Sequence, residues 1–131
     1  MFEGVDHVVI AVNDLERGIA QYEQIFGLPA SERGEPPGET YVNAMFRFPE
    51  TMVELISPKG PEGPVAKRLE ARGEGVYLVA MRVDDLEGEI RRLRDGGVRL
   101  IGDPGPGKPA TGMVFIHPGS AGGVLVQLIR R

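Results

Sequence analysis

The chain has 131 residues, of which 41% are hydrophobic and 26% charged, values typical of one globular domain. It contains no cysteine, which excludes disulfide bonds, thiolate metal ligands and a thiol nucleophile. The formal net charge of -4 disfavours nucleic acid and anionic membranes as partners, because both select for basic faces. The apolar runs are far shorter than a bilayer span, and the segment MFEGVDHVV does not resemble a signal peptide, so a cytoplasmic location is expected.

The first half of the chain predicts a strand, a helix and a β-hairpin. Residues 5–12 form an apolar, β-branched run, which is typical of a strand buried on at least one face. Asn13 or Asp14 is the predicted helix N-cap, and apolar residues then recur at helical spacing until Gly27 ends the pattern. The two hairpin strands, separated by Pro49-Glu50, are predicted at residues 41–48 and 52–56.

The second half predicts the same order of elements. A short helix is predicted before it at residues 64–72, with Pro64 in its first turn. His117 is interpreted as a turn residue, because Pro118 and a glycine-rich segment follow it. The remaining predictions are a strand at 76–83, a helix at 86–93, a short strand at 98–101, a loop at 102–112, and hairpin strands at 113–117 and 124–129.

Two stretches of the chain share one sequence pattern. The segment GVDHVVIAVNDLERGI occupies residues 4–19, and GVYLVAMRVDDLEGEI occupies residues 75–90. Near the end of each half, VELI at 53–56 matches VQLI at 126–129. Self-similarity of this kind is the signature of an internal repeat, and the repeat places Leu78 where the first copy has a histidine.

The repeat predicts two related modules within a single domain. Each module contains a strand, a helix and then two or three strands, so one face of its sheet is left uncovered. Two copies can pack side by side and curl their strands around a shared cleft, with the helices outside. The predicted boundaries are residues 1–57 for module 1, 58–74 for the linker and 75–131 for module 2.

These patterns, with the segment GPVAKRLEARGEG and the ending HPGSAGGVLVQL, resemble the vicinal oxygen chelate superfamily of glyoxalases, bleomycin-resistance proteins and dioxygenases. Within it the resemblance is strongest to the methylmalonyl-CoA epimerase family. It implies an α+β fold of two tandem βαβββ modules that form a curved mixed sheet around a cleft, commonly assembled as a homodimer. In that family the metal ligands lie on the first and last strand of each module, positions that here are His7, Glu54, Leu78 and Gln127.

The resemblance also shows where this chain departs from the family. The family has histidine and glutamate where this chain has Leu78 and Gln127. A leucine has no lone pair and a glutamine amide is neutral, so we expect a weakened metal site of His7, Glu54 and Gln127. No cofactor is therefore expected, with a weakly held divalent metal ion as the alternative. The family's second base falls on Asn43, so both proton-transfer carboxylates of the family are amides here.

Three functions stay open at this point. The chain could bind a small organic molecule in the inter-module cleft, as bleomycin-resistance proteins do. It could be a divalent-metal-dependent isomerase or lyase that acts through an enolate-type intermediate, or a metal-free enzyme in which Glu54 or His7 is the general base. A His7–Glu54 ion pair buried for structural reasons would explain the same two residues without any ligand. The predicted cleft-lining residues are Asn43, Met45, Tyr77 and Leu78, with Phe46 and Met81 depending on the face that each occupies.

Overall fold

The computed structural model describes residues 1–131 and contains three α-helices and eight β-strands. The helices are α1 (Leu15–Phe26), α2 (Pro64–Arg72) and α3 (Leu86–Asp95). The strands are β1 (Phe2–Ala11), β2 (Glu32–Gly34), β3 (Tyr41–Arg47), β4 (Met52–Pro58), β5 (Gly75–Val83), β6 (Leu100–Ile101), β7 (Val114–Ile116) and β8 (Val126–Ile129). Every predicted element is confirmed with small shifts of its ends, and β2 is an additional strand. None of the helices has the length and apolar character that crossing a membrane requires.

The helices α1 and α3 begin at equivalent positions of the repeat. The Asp14 carboxylate accepts a hydrogen bond from the Arg17 backbone N–H at 3.2 Å, and the Asp85 carboxylate accepts one from the Gly88 N–H at 3.0 Å. Each bond satisfies one of the N–H groups that the first turn of a helix leaves unpaired. Asp14 is therefore the N-cap, and the alternative Asn13 is excluded.

The strands form one mixed sheet with the order β2-β3-β4-β1-β5-β8-β7-β6, which is the α+β class predicted from the sequence. By contacts the chain divides into two compact units. One unit is His7–Tyr77, and the other is Met1–Asp6 together with Leu78–Arg131. We call them the first unit and the second unit.

In the first unit, α1 covers one face of the sheet β2-β3-β4-β1. Buried Ile19 of the helix packs against the sheet residues Ala44, Phe46 and Leu55. The strands β1 and β4 are parallel with Val9 opposite Glu54, and β3 is antiparallel to β4 with Met45 opposite Glu54. Because side chains alternate along a strand, the face away from α1 carries a separate set of residues. This set includes His7, Val9, Tyr41, Asn43, Met45 and Glu54.

In the second unit, α3 covers one face of the sheet β5-β8-β7-β6. The buried core between helix and sheet consists of Val83, Leu86, Ile90, Leu93, Val114 and Leu128. The strands β5 and β8 are parallel with Ala80 opposite Gln127, and β7 places Phe115 opposite Gln127. Alternation puts Leu78 on the same face as Ala80 and Gln127, away from α3.

The repeat seen in the sequence extends to the pairing of the strands. Val9 opposite Glu54 in the first unit corresponds to Ala80 opposite Gln127 in the second. A slip of one residue in either unit would move every side chain of that strand to the other face. The common register therefore places the equivalent positions on the helix-free face of each unit.

Candidate functional site

The helix-free face of the first unit carries a buried polar cluster of His7, Asn43 and Glu54, which we call the polar cluster. His7 lies on β1, Asn43 on β3 and Glu54 on β4, the strand between them. Only 7% of His7 and 9% of Glu54 is exposed, whereas Asn43 is half-buried. A carboxylate buried to this extent needs hydrogen-bond donors or a cation, because removing its hydration is costly.

Asn43 supplies that donor. Its side-chain Nδ2 donates to Glu54 Oε2 at 2.9 Å. His7 Nε2 lies 3.8 Å from Glu54 Oε1, within ion-pair range but longer than a hydrogen bond. One carboxylate oxygen of Glu54 thus accepts from the amide, while the other lies toward the imidazole. This distance places His7 and Glu54 beside each other, as a buried pair held for structural reasons would also require.

Tyr41 is a member of the same face that the sequence analysis missed. It precedes Asn43 by two residues on β3, and this spacing places both side chains on one face. Burial raises the pKa of Tyr41 to about 12, and the negative charges of Glu54 and Glu39 add to the rise. The phenol therefore stays protonated at neutral pH and can donate a hydrogen bond to a ligand.

The second unit presents a different surface at the equivalent positions. Leu78 is buried with 7% exposed, and Gln127 is half-buried between Ala80 and Phe115 on the neighbouring strands. No ionisable side chain occupies either position. The residues that the sequence proposed as ligands therefore divide into an ionisable pair, His7 and Glu54, in the first unit and a neutral pair in the second.

The donors present do not fit a resident divalent metal ion. A divalent transition metal takes three or four protein ligands with nitrogen, oxygen or sulfur donors. No group of three or more His, Cys, Asp or Glu side chains is placed to hold a metal ion. The polar cluster offers one imidazole and one carboxylate, and the Asn43 N–H points at that carboxylate.

The remaining predicted residues lie in three different environments. Met45 lies directly opposite Glu54 on β3 and is half-buried, as is Tyr77 near the start of β5. Phe46 packs against α1 in the core, so it does not line the helix-free face. Met81 lies opposite Leu128, a core residue beneath α3, and occupies the helix side of its sheet. His117 is a turn residue as predicted, since its Nδ1 accepts from the Gly119 N–H at 2.9 Å.

Two surface cavities lie beside the sheets. One of about 640 Å³ in the first unit is bordered by the start of α1 and by Ser57, and it reaches Asn43 but neither His7 nor Glu54. The other, of about 430 Å³ in the second unit, lies between α3 and the loop at residues 102–112. Neither contains the ionisable pair, so the chemistry of the polar cluster and not cavity size identifies the candidate site.

Comparison with known proteins tests the resemblance proposed from the sequence. The model of the Glyoxalase/Bleomycin resistance protein/Dioxygenase superfamily matches residues 6–116. The ethylmalonyl-CoA/methylmalonyl-CoA epimerase of Cereibacter sphaeroides is 32% identical over an alignment of 134 positions, which covers 98% of each chain.

Solved structures agree with the sequence relatives. Methylmalonyl-CoA epimerase from Mycobacterium tuberculosis superimposes with a TM-score of 0.82 at 35% identity, over 97% of this chain and 87% of that one. A variant of the Streptomyces coelicolor methylmalonyl-CoA epimerase, in complex with 2-nitronate-propionyl-CoA, gives a TM-score of 0.85 at 26% identity over 99% and 95% of the two chains. The chain belongs to the glyoxalase, bleomycin resistance protein and dioxygenase superfamily, and within it closely resembles methylmalonyl-CoA epimerase.

Proposed function

We propose that the chain binds a small acyl-CoA thioester or a related carbonyl compound at the polar cluster, without the help of a resident metal ion. The ligand class comes from the relatives, whose names specify ethylmalonyl-CoA and methylmalonyl-CoA as their substrates. The observation that carries the proposal is the set of contacts made by the Glu54 carboxylate. Its carboxylate is fixed by Asn43 at 2.9 Å and has one imidazole beside it, so it is arranged for hydrogen bonding and not for metal coordination.

The surroundings of Glu54 support recognition of a carbonyl-containing ligand. The protonated Tyr41 phenol and the His7 imidazole can each donate a hydrogen bond to a carbonyl oxygen. The half-buried thioether of Met45 lies opposite Glu54 and offers a flexible, polarisable contact for an acyl chain. A ligand held by these groups would have its polar atoms satisfied in a partly desolvated site, which is typical of small-molecule pockets.

Proton transfer at a carbon next to the thioester carbonyl is the second candidate function. It is favoured by the identity of 32% to an epimerase over nearly the whole chain. In such a reaction the Glu54 carboxylate would take the proton from the acidic carbon, and its fixed orientation toward His7 would help to place it. Because the donors do not fit a divalent ion, we assign no step of this candidate to a metal.

The test combines metal analysis, ligand binding and an epimerisation assay on one preparation of the full chain. Protein purified without chelator should contain divalent metal well below one equivalent. Methylmalonyl-CoA should raise the melting temperature equally with and without EDTA, because binding does not depend on a metal ion. At 100 times its Kd the ligand would stabilise the native state by about 2.7 kcal/mol. His7→Leu should abolish this shift, while Glu50→Gln in the exposed β3–β4 turn should leave it intact.

Each other outcome assigns a different function. One equivalent of metal, with an epimerase activity that chelator removes, would overturn the proposal in favour of a metal enzyme. Chelator-resistant epimerisation that is lost in Glu54→Gln would establish the second candidate. The homodimer and the cytoplasmic location remain predictions, and light scattering on the same preparation tests the first of them.

A further inference from the structure

We infer that the cavity beside the start of α1 binds an uncharged ligand that donates a hydrogen bond, and that the Asn43 amide oxygen accepts this bond. The cavity is the one of about 640 Å³ in the first unit, and neither His7 nor Glu54 borders it. Its volume lies within the range of small-molecule pockets, about 300 to 1,000 Å³. The site is therefore distinct from the one under the proposed function, although Asn43 belongs to both.

The side chain of Asn43 has one polar atom in use and one unused. Its Nδ2 donates to Glu54 Oε2 at 2.9 Å, and this bond turns the amide oxygen Oδ1 away from Glu54. Oδ1 accepts no hydrogen bond within the chain, and it is not fully buried. Because an amide oxygen is a strong acceptor, an unused one at the wall of a cavity can receive an N–H or O–H group of a ligand.

Gly34 keeps the space beside this oxygen open. It lies directly opposite Asn43 on the edge strand β2, and both residues border the cavity. A Cβ added at Gly34 would lie 3.3 Å from Asn43 Oδ1, closer than ordinary van der Waals contact. The backbone does not require glycine here, since Gly34 is not among the residues with positive φ. A glycine within a strand often marks a place where a ligand approaches closely, and Gly34 fits that role.

The charged side chains around the cavity already have partners. Arg33 forms an ion pair with Glu16, and Lys59 Nζ lies 2.7 Å from Glu35 Oε1. The Asp14 carboxylate accepts the hydrogen bond that caps α1. An anionic ligand would meet three carboxylates beside cations that are already paired, and a cationic ligand would have to compete with those ion pairs. An uncharged ligand is therefore the class that this wall fits best.

The rest of the wall offers the ligand an apolar contact. Leu15 and Val42 are half-buried and border the cavity. The buried Ser57 hydroxyl also borders it, but it donates to the Asn13 carbonyl oxygen at 3.0 Å, so its proton is in use. Aliphatic side chains with a few placed polar groups are typical of small-molecule sites. Two aliphatic side chains near an unused acceptor fit an N–H group attached to an alkyl chain, as in a secondary amide.

The experiment titrates the ¹⁵N-labelled full chain with N-butylacetamide and follows the NMR signals of the Asn43 side-chain NH₂ group. The matched probe N-butyl-N-methylacetamide has no N–H group, and butylammonium carries a charge. The secondary amide should shift the Asn43 signals with a Kd about 3- to 10-fold below that of the tertiary amide, the range expected for one neutral hydrogen bond. Gly34→Ala should remove this difference, because the added methyl group crowds Oδ1. Gly60→Ala, at an exposed turn position with open space around it, should change neither Kd.

Four results would overturn the inference and leave the proposed function, which is tested at His7 and Glu54, unaffected. They are unshifted Asn43 signals, equal Kd values for the two amides, tighter binding of butylammonium, and a preference for the secondary amide that persists in Gly34→Ala. The third would mean that the carboxylates select the ligand, and the fourth that its N–H group contacts another acceptor. If Gly34→Ala fails to fold, the ratio of the two amide Kd values in the wild-type chain decides.

Discussion

In the first unit the Glu54 carboxylate has Val9 and Met45 opposite it on the neighbouring strands, and Gln127 has Ala80 and Phe115 opposite it in the second. The backbone arrangement is the same in both cases, while the chemical character of the side chains is different. A buried acidic residue paired with an amide in one unit is replaced by a half-buried neutral amide in the other. The chemistry of the site can therefore change while the strand register stays the same.

The helix-covered faces of the two units also place different side chains at equivalent strand positions. In the first unit the rings of Phe46 and Phe48 meet Phe26 of α1 edge to face, with ring centroids 5.3 and 5.1 Å apart. The core beneath α3 contains aliphatic residues only among its fully buried members. Both cores use the same strand positions, so the fold constrains which positions are buried more strongly than which residues fill them.

The largest expected effect comes from the aromatic core. Phe46→Ala should lower the free energy of unfolding by about 3 to 5 kcal/mol, because it removes a side chain that is fully buried and leaves a cavity beside Phe26. Ile116 occupies the equivalent position on β7 and is only half-buried, so Ile116→Ala should cost less. Urea denaturation of both variants measures the difference. Equal losses would show that the two cores contribute alike despite their composition.

The second-largest expected effect is a loss of stability in the polar cluster, compared with the neutral position Gln127 in the second unit. Asn43→Leu should destabilise the fold by about 1 to 3 kcal/mol, because it removes the donor to a buried carboxylate. Gln127→Leu should change stability by less, because the half-buried Gln127 amide makes no side-chain hydrogen bond. The same urea titrations at neutral pH provide the measurement. Should Gln127→Leu prove the more damaging, the amide in the second unit would have a structural role that its surroundings do not indicate.

The equivalence of Glu54 and Gln127 is visible in the sequence because the repeat aligns them. The matching of VELI with VQLI is sufficient to place Glu54 and Gln127 at equivalent points, and strand alternation then gives their faces. The distance between His7 and Glu54 follows from the same pairing, since both residues face one way from adjacent parallel strands. The helix caps and the hairpin between β3 and β4 depend on local residue types, and they too were predicted.

Other features depend on contacts between residues distant in sequence. The strand β2 has only three residues, all exposed, so it shows neither alternation nor an apolar run. The hydrogen bond from the Asn43 amide to Glu54 joins diagonal positions on β3 and β4, and no sequence motif indicates such a contact.

The helix caps offer a matched comparison with a smaller effect. Asp14→Ala and Asp85→Ala should each cost about 1 kcal/mol, because each removes an acceptor for one backbone N–H of the first turn. The expected equality of the two values follows from the shared position in the repeat. Thermal unfolding of the two variants beside the wild-type chain measures them. A difference well above the error would show that the repeat preserves the cap residue in sequence, although its contribution to stability differs between the two helices.

The smallest expected effect is a pH-dependent one at two ion pairs. Arg94 holds the pKa of Asp103 down to about 2, with the Gly105 N–H as a second donor, and Arg47 lowers the pKa of the more exposed Glu32. A carboxylate with a lowered pKa stabilises the native state above its unfolded pKa, and this contribution disappears as the pH falls through the folded value.

The pair in the second unit should therefore matter more than the pair in the first, because its charges are less exposed to solvent screening. At pH 7, Asp103→Asn should reduce stability by more than Glu32→Gln. As the pH falls from about 4 toward 2 the penalty for Asp103→Asn should shrink steadily, since the wild-type carboxylate begins to be protonated and to lose its ion pair. Denaturant titrations at several pH values provide the test, with Glu70→Gln at an exposed position of α2 as the control. A penalty for Asp103→Asn that stays constant down to pH 2 would mean that the side chain acts through packing or its hydrogen bond to Gly105, and that its charge contributes nothing.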